Sequence, residues 1–259
     1  MSFDSARSKE KEQPPFFTEG AESTAPSFFN VGTASATSAR GPRQLINLIE
    51  THSLLNRYVF ELRDLAVQKD RMRFRRNLER IGEIIAYEIS KTMRYVSRSV
   101  PTCLGTAVCH LPAETPVVAA ILRAGLPLHQ GVLNYFDDAD CSFVSAYRKH
   151  DTAGGFEIQL EYCSCPDLTD RTVIIADPML ATGASAVLTI RELVKFGKPS
   201  AIHLVAAIAS AQGVANVQEY SKEIVIWAAA LDPELDERAY IVPGLGDAGD
   251  LAYGPKLQR

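Results

Sequence analysis

Beyond Pro116 the chain alternates short apolar runs with stretches of helical length. PVVAAIL (116–122), CSFVSAY (141–147), RTVIIAD (171–177), AIHLVAAIA (201–209) and EIVIWAAAL (223–231) are the runs. They are too continuously apolar for strands with one wet face, so they read as strands buried on both faces. The stretches running to Phe136, Phe196 and Tyr220 read as helices. FEIQLEY (156–162) alternates apolar and polar positions after Gly154 and Gly155, the pattern of a hairpin excursion. Strand and helix in alternation predict an α/β domain with a mostly parallel central sheet flanked by helices. Ligands of such a sheet bind beyond the carboxyl ends of its strands.

Ahead of this core, residues 42–100 read as a helical lead-in. Leu45, Ile46, Leu48 and Ile49, then Leu78, Ile81, Ile84, Ile85, Ile89 and Met93, recur at three- and four-residue spacings. Arg71, Arg73, Arg75, Arg76 and Arg80 crowd the start of the second stretch, which suits a solvated face, a subunit contact or an anion contact. Residues 1–41 are rich in Ser, Thr, Ala, Gly and Pro without apolar periodicity, so they read as a flexible low-complexity tail. The remaining residues, 42–259, then divide into the lead-in (42–100), a core (101–239) and a glycine-dense C-terminal segment (240–259).

Composition narrows the partners. A net charge of -4 and a pI near 5.8 provide no basic footprint for nucleic acid. The longest apolar stretch, around 203–211, is too short to span a bilayer. Five cysteines without a CxxC pair argue for reduced thiols rather than a disulfide framework. Acids at Asp4, Glu10 and Glu12 weigh against a transit peptide, and the expected location is cytoplasmic.

Candidate chemistry gathers at three points, each just past a predicted strand. In ILRAGLP (121–127), Arg123 would stand at the strand's carboxyl end, and Ala124-Gly125 would let backbone amides approach an anion; a plain connection uses the same residues. In VIIADPMLATGASA (173–186), Asp177 ends the strand and Pro178 blocks ladder pairing. Ala181 to Ser185 would then wrap amides and two hydroxyls around a phosphate at a helix N-terminus. Asp177, an acceptor beside that pocket, suits the vicinal hydroxyls of a ribose. A helix capped by Thr182 or Ser185 accounts for the hydroxyls but leaves the acid and the glycine without a purpose. No GxxxxGK[ST] occurs, which excludes a Walker A loop. YIVPGLGDAGDLAYG (240–254) carries two acids, Asp247 and Asp250, among closely spaced glycines. Such a segment suits a flat heterocycle read by main-chain groups, with either acid available to a metal or a ribose.

Taken together, ILRAG, DPMLATGAS and YIVPGLGDAGD resemble the uracil phosphoribosyltransferases in order and spacing, over roughly residues 45–254. ELRD (61–64) and RFRRN (73–77) look like that family's N-terminal region. The resemblance implies a type I phosphoribosyltransferase fold with a hairpin excursion and a small C-terminal hood. It implies transfer of the phosphoribosyl group of 5-phospho-α-D-ribose 1-diphosphate (PRPP) to uracil, giving UMP and diphosphate in pyrimidine salvage, with Mg²⁺ held mainly through PRPP. At matching positions Arg123, Arg148, Asp177 and Asp247 would be catalytic. Pro178, Met179, Leu180, Ala181, Thr182, Gly183, Ala184 and Ser185 would join them in holding PRPP. Ile241, Gly246, Asp247 and Ala248 would hold uracil, making 240–259 the uracil-binding loop. The excursion beginning near Arg148 would act as a flap that excludes water. A homodimer or larger oligomer is implied, GTP is raised as an effector, and no nucleic-acid or membrane partner is expected.

Four positions depart from the family's pattern, one of them Tyr253 in place of a phenylalanine. Ala184 replaces a second glycine, which requires helical or otherwise negative φ there; Leu251 replaces an arginine, and Lys149 an aspartate. The lost arginine, with the long tail, motivates an alternative: a phosphoribosyltransferase-like nucleotide-binding regulator with little turnover. A transferase for another nucleobase is a third reading.

Overall fold

A computed structural model describes residues 44–150 and 156–256, with the backbone alone described at 146–150 and 156–160. The expected tail (1–41) and the Gly154-Gly155 turn lie outside the described residues.

The lead-in comprises β1 (Leu45–Asn47), α1 (Leu54–Arg63) and α2 (Arg71–Ser90). A hairpin of β2 (Tyr95–Thr102) and β3 (Gly105–Pro112) follows. The core continues through β4 (Val117–Leu122), α3 (Gly125–Leu133), β5 (Asp140–His150), β6 (Phe156–Ser164), β7 (Thr172–Ala176) and β8 (Met179–Leu180). Next come α4 (Ala184–Leu193), β9 (Ala201–Ser210), α5 (Ala211–Tyr220) and β10 (Val225–Asp232). β11 (Glu234–Leu235), β12 (Ile241–Val242) and α6 (Ala248–Tyr253) form the C-terminal hood.

The main sheet runs β1-β10-β9-β7-β4-β5-β6, with β8 added to β9; every pair is parallel except β5–β6. Alternation along each strand sorts side chains between two apolar layers. Val118, Ile174, Val205, Ala207, Trp227 and Ala229 face α1, α2 and α3, where Phe74, Leu78, Ile81, Ile85 and Ile89 form one fully buried stripe. Val117, Ala119, Val173, Ile175, Leu204, Ala206 and Ile226 face α4 and α5. Each large apolar side chain so buried stabilises the fold by about 1.5–3 kcal/mol.

Two sequence readings need correction. Residues 42–100 are not helical throughout: Leu45–Asn47 pair with β10 from Ile226 to Ala228, and Tyr95 begins a hairpin that ends at Pro112. A short apolar run such as Leu45-Ile46 fits either period, and the open edge of β10 decides it. The segment 240–254 is not simply a loop, since it contains β12 and α6, the latter capped by the Asp247 carboxylate accepting from the Asp250 N–H at 2.9 Å.

One polar pair lies inside the layer shared with α1–α3. The Trp227 indole N–H donates to His203 Nδ1 at 3.0 Å, and His203 is 7% exposed. Burial pushes the His203 pKa down to about 4. Its proton is therefore taken up more readily by the unfolded chain, where a histidine titrates near 6.5. This contribution to stability is complete above about pH 6.5 and is lost as pH falls toward 4, amounting to about 3 kcal/mol. His203→Gln keeps an acceptor for Trp227 without the titration. Urea unfolding at pH 7 and pH 4.5 is expected to show a smaller acid loss in that variant than in the wild type; equal losses would refute the assignment.

Candidate active site

The carboxyl ends of β4 and β7, Ser145 of β5 and the hood surround a cavity of about 540 Å³. Arg123 follows β4 directly, after a cis Leu122–Arg123 peptide, and Asp177 follows β7. Both line the cavity, as do Met179, Ala181 and Ser185 from the acid-headed loop and Ile241, Gly246, Asp247 and Ala248 from the hood. A recess of about 30 Å³ adjoins it, walled by Asp177 and Met179 to Gly183 together with Ser185. Three stretches separated by more than 50 residues each are thus gathered in one place.

The loop from Asp177 to Ser185 is held rigidly from beneath. The Asp177 N–H continues the ladder onto Val205 O at 3.0 Å, and the Asp177 carboxylate accepts from the Met179 N–H at 3.3 Å. Pro178, which lines neither cavity, offers its carbonyl to the N–H groups of Ala207 and Ile208 at 3.1 and 2.9 Å. Ser210 Oγ donates to Ala181 O at 2.6 Å, and Asn216 Nδ2 to Thr182 O at 2.8 Å. Gly183 is the N-cap of α4 at φ 77°, without a side-chain cap. Gly183 takes the cap position, while Thr182 Oγ1 accepts from the Ala184 N–H at 3.4 Å beside it. Ala184 is already helical, the condition under which alanine replaces glycine without strain.

Gly125 has a different role from the one its motif suggested. It is buried, and a Cβ there would come within 2.5 Å of Ala176 O, so its missing side chain serves the close packing of α3 on the end of β7. Arg123 instead reaches the hood: its Nη2 donates to Asp250 Oδ1 at 3.2 Å and Gly254 O at 3.4 Å. Arg75 caps the far end of α6 through Ala252 O at 2.7 Å and lies over the Tyr253 ring, 5.8 Å from its centroid. Burial pushes the Tyr253 hydroxyl pKa up, against the lowering influence of Arg75 and Arg123. Leu251 packs against the apolar layer of α1–α3, so this position serves packing.

Other arginines of the lead-in are partnered within the chain. Arg73 and Arg57 pair with the buried carboxylate of Glu61, and Arg76 with Glu79 and Glu83. Arg148 lies on β5 beyond Ser145, the last residue paired with β4, and its side chain is outside the described set. Sequence reasoning missed Ser145, Tyr240, Gly249 and Lys256, which also line the cavity. Lys256 had a signal: it is a cation three residues past the glycine-dense α6 segment.

A mostly parallel sheet with ligand-facing loops at its carboxyl edge, a hairpin excursion and a C-terminal hood is the arrangement of a type I phosphoribosyltransferase. A sequence model of the uracil phosphoribosyltransferase family matches residues 49–255, and the chain belongs to that family. A uracil phosphoribosyltransferase of Porphyromonas gingivalis is 54% identical over 215 residues, which cover 83% of this chain and 100% of the relative. One of Thermococcus gammatolerans is 37% identical over 201 residues, covering 76% and 88% respectively. A solved structure of an Aquifex aeolicus protein superposes with a TM-score of 0.73 at 31% identity, covering 83% of this chain and 100% of that one.

Gly183→Ala would place a side chain at left-handed φ, 2.8 Å from Gly213 O. It is expected to destabilise the fold by at least about 1–2 kcal/mol, read as a lowered urea midpoint. An unchanged midpoint would contradict the tight packing of this loop.

Proposed function

We infer that the protein transfers the phosphoribosyl group of PRPP to uracil, forming UMP and releasing diphosphate. The observation that carries this reading is the family match across residues 49–255, which includes all three motifs that wall the cavity.

The roles of individual residues follow from their chemistry. Asp177 would accept from the ribose hydroxyls, while the amides opening α4 and the hydroxyls of Thr182 and Ser185 would hold the 5-phosphate. Ile241, Gly246 and Ala248 would read the edge of uracil through main-chain groups, with Asp247 between base and sugar. As the bond from the anomeric carbon to the diphosphate oxygen breaks, the electron pair leaves with diphosphate, the ring gains oxocarbenium character, and the uracil nitrogen bonds to that carbon while its proton passes to solvent. Arg123 and Arg148 would stabilise the negative charge gathering on diphosphate, and Lys256 adds a further cation at the cavity. Alignment of base and sugar carries much of the acceleration.

Asp177 and Asp247 provide hard oxygen donors on one cavity, which fit Mg²⁺. Among the described residues no group of three or more His, Cys, Asp or Glu side chains gathers to hold a metal, so PRPP oxygens would supply the remaining ligands. Bound there, Mg²⁺ would offset charge on the diphosphate.

The β2–β3 hairpin supports a homodimer. Among the described residues it pairs only with itself, and Leu104 and Val108 are 95% and 65% exposed. An isolated two-stranded hairpin is marginal in water, and a second copy of the chain would cover it. Sedimentation is expected to give a dimer, and Val108→Lys with Leu111→Lys a monomer; a monomeric wild type would refute this assembly.

The catalytic reading is tested by incubating the protein with PRPP, Mg²⁺ and a panel of nucleobases. UMP from uracil is expected, and its absence from folded protein would overturn the reading. Asp177→Asn is expected to lower turnover by more than about tenfold. Near-normal turnover would remove Asp177 from its ribose role.

A further inference from the structure

The hood that walls the base side of the cavity has little support of its own. β11 and β12 are two residues each and, among the described residues, pair only with one another, outside the main sheet. The segment Gly244–Leu245, immediately before the cavity-lining Gly246–Ala248, is instead tied by its backbone to the end of α1. Arg63, the last residue of α1, grips both oxygens of Asp232 at 2.7 and 2.8 Å. The same guanidinium donates to Gly244 O at 3.0 Å, and the Gly244 N–H returns to Asp232 Oδ2 at 2.8 Å. Gln68 donates to Leu62 O at 2.9 Å and reaches Leu245 O at 3.3 Å. Asp232 and Gln68 are 4% and 6% exposed, so water is a poor substitute for these partners.

The anchor is itself braced. Glu61, two residues before the end of α1, accepts from Asn77 at 2.9 Å and Arg73 at 3.0 Å on α2. These hydrogen bonds, with the Asn77 amide foremost, hold the Glu61 carboxyl below its ordinary pKa despite the opposing effect of burial. Arg75 of α2 then holds the other end of the hood at Ala252 O. The ELRD and RFRRN stretches therefore act together, fixing the hood at Gly244–Leu245 and at Ala252. The opposite wall, Asp177 to Ser185, has separate anchors on β9 and α5 through Pro178, Ala181 and Thr182.

We propose that Arg63, Asp232 and Gln68 are positioning residues for the nucleobase, setting the height and register of the main chain that reads uracil. This rests on the catalytic reading above. Because the two walls are anchored separately, loosening the clamp should weaken the use of uracil while leaving that of PRPP largely intact.

The test is steady-state kinetics of UMP formation by the full chain, varying each substrate in turn, on Arg63→Ala and the milder Gln68→Ala. Lys91→Ala, which removes an exposed partner of Glu88 just past the end of α2, is the control and is expected to match wild type. KM for uracil is expected to rise roughly tenfold or more in Arg63→Ala and by a smaller factor in Gln68→Ala, with KM for PRPP changed less than about threefold. Should Arg63→Ala fail to fold, Gln68→Ala carries the comparison alone. Unchanged KM for uracil in a folded variant, or equal rises for both substrates, would overturn the proposal. Absence of UMP from the wild-type chain would instead overturn the catalytic reading itself.

Discussion

Parallel pairing of β4, β7, β9 and β10 is the constraint from which the site follows. Parallel strands all leave the sheet at the same edge, and each return must cross a face as a helix. Arg123 and Asp177 each follow a strand by one residue, while Ser210 and Asp232 are the last residues of theirs. Groups from distant parts of the chain therefore meet without any special folding of the loops. The same topology buries both faces of these strands, so the core and the site share one cause.

That shared edge supports two differently built walls. The wall from Asp177 to Ser185 is an extension of the sheet, continuing the β7 ladder and resting on β9 and α5. The hood is carried by a short hairpin and a six-residue helix, neither paired with the main sheet, and it is held by side chains from the lead-in. Arg123 crosses between them, lining the cavity while it reaches Asp250 and Gly254.

The core was legible because its strands are long apolar runs whose burial is decided by composition. β4, β7, β9 and β10 fall within one or two residues of the runs that announced them. β1 was not legible, because Leu45–Asn47 become a strand only when β10 offers an edge. The β2–β3 hairpin was equally hidden, since its largely exposed positions have no apolar alternation to read. Within the site, Asp177, Arg123 and Asp247 stood out as charged groups at strand ends or among glycines. Ser145 did not, because only the tertiary fold brings it to the cavity. Gly125 shows the opposite error: its motif suggested ligand approach, while the contact that forbids a side chain is with Ala176 O. The arginine-rich start of α2 likewise resolves into pairs that brace α1 and the hood.

Ala184 has a consequence for the unfolded chain. The positive φ of the loop falls on Gly183 alone, and the next residue already belongs to α4. An alanine at a helical position samples fewer backbone states when unfolded than a glycine does, which favours folding by about 0.4–1 kcal/mol. The departure from the family's pattern thus makes the turn that opens α4 less costly to order before any ligand arrives.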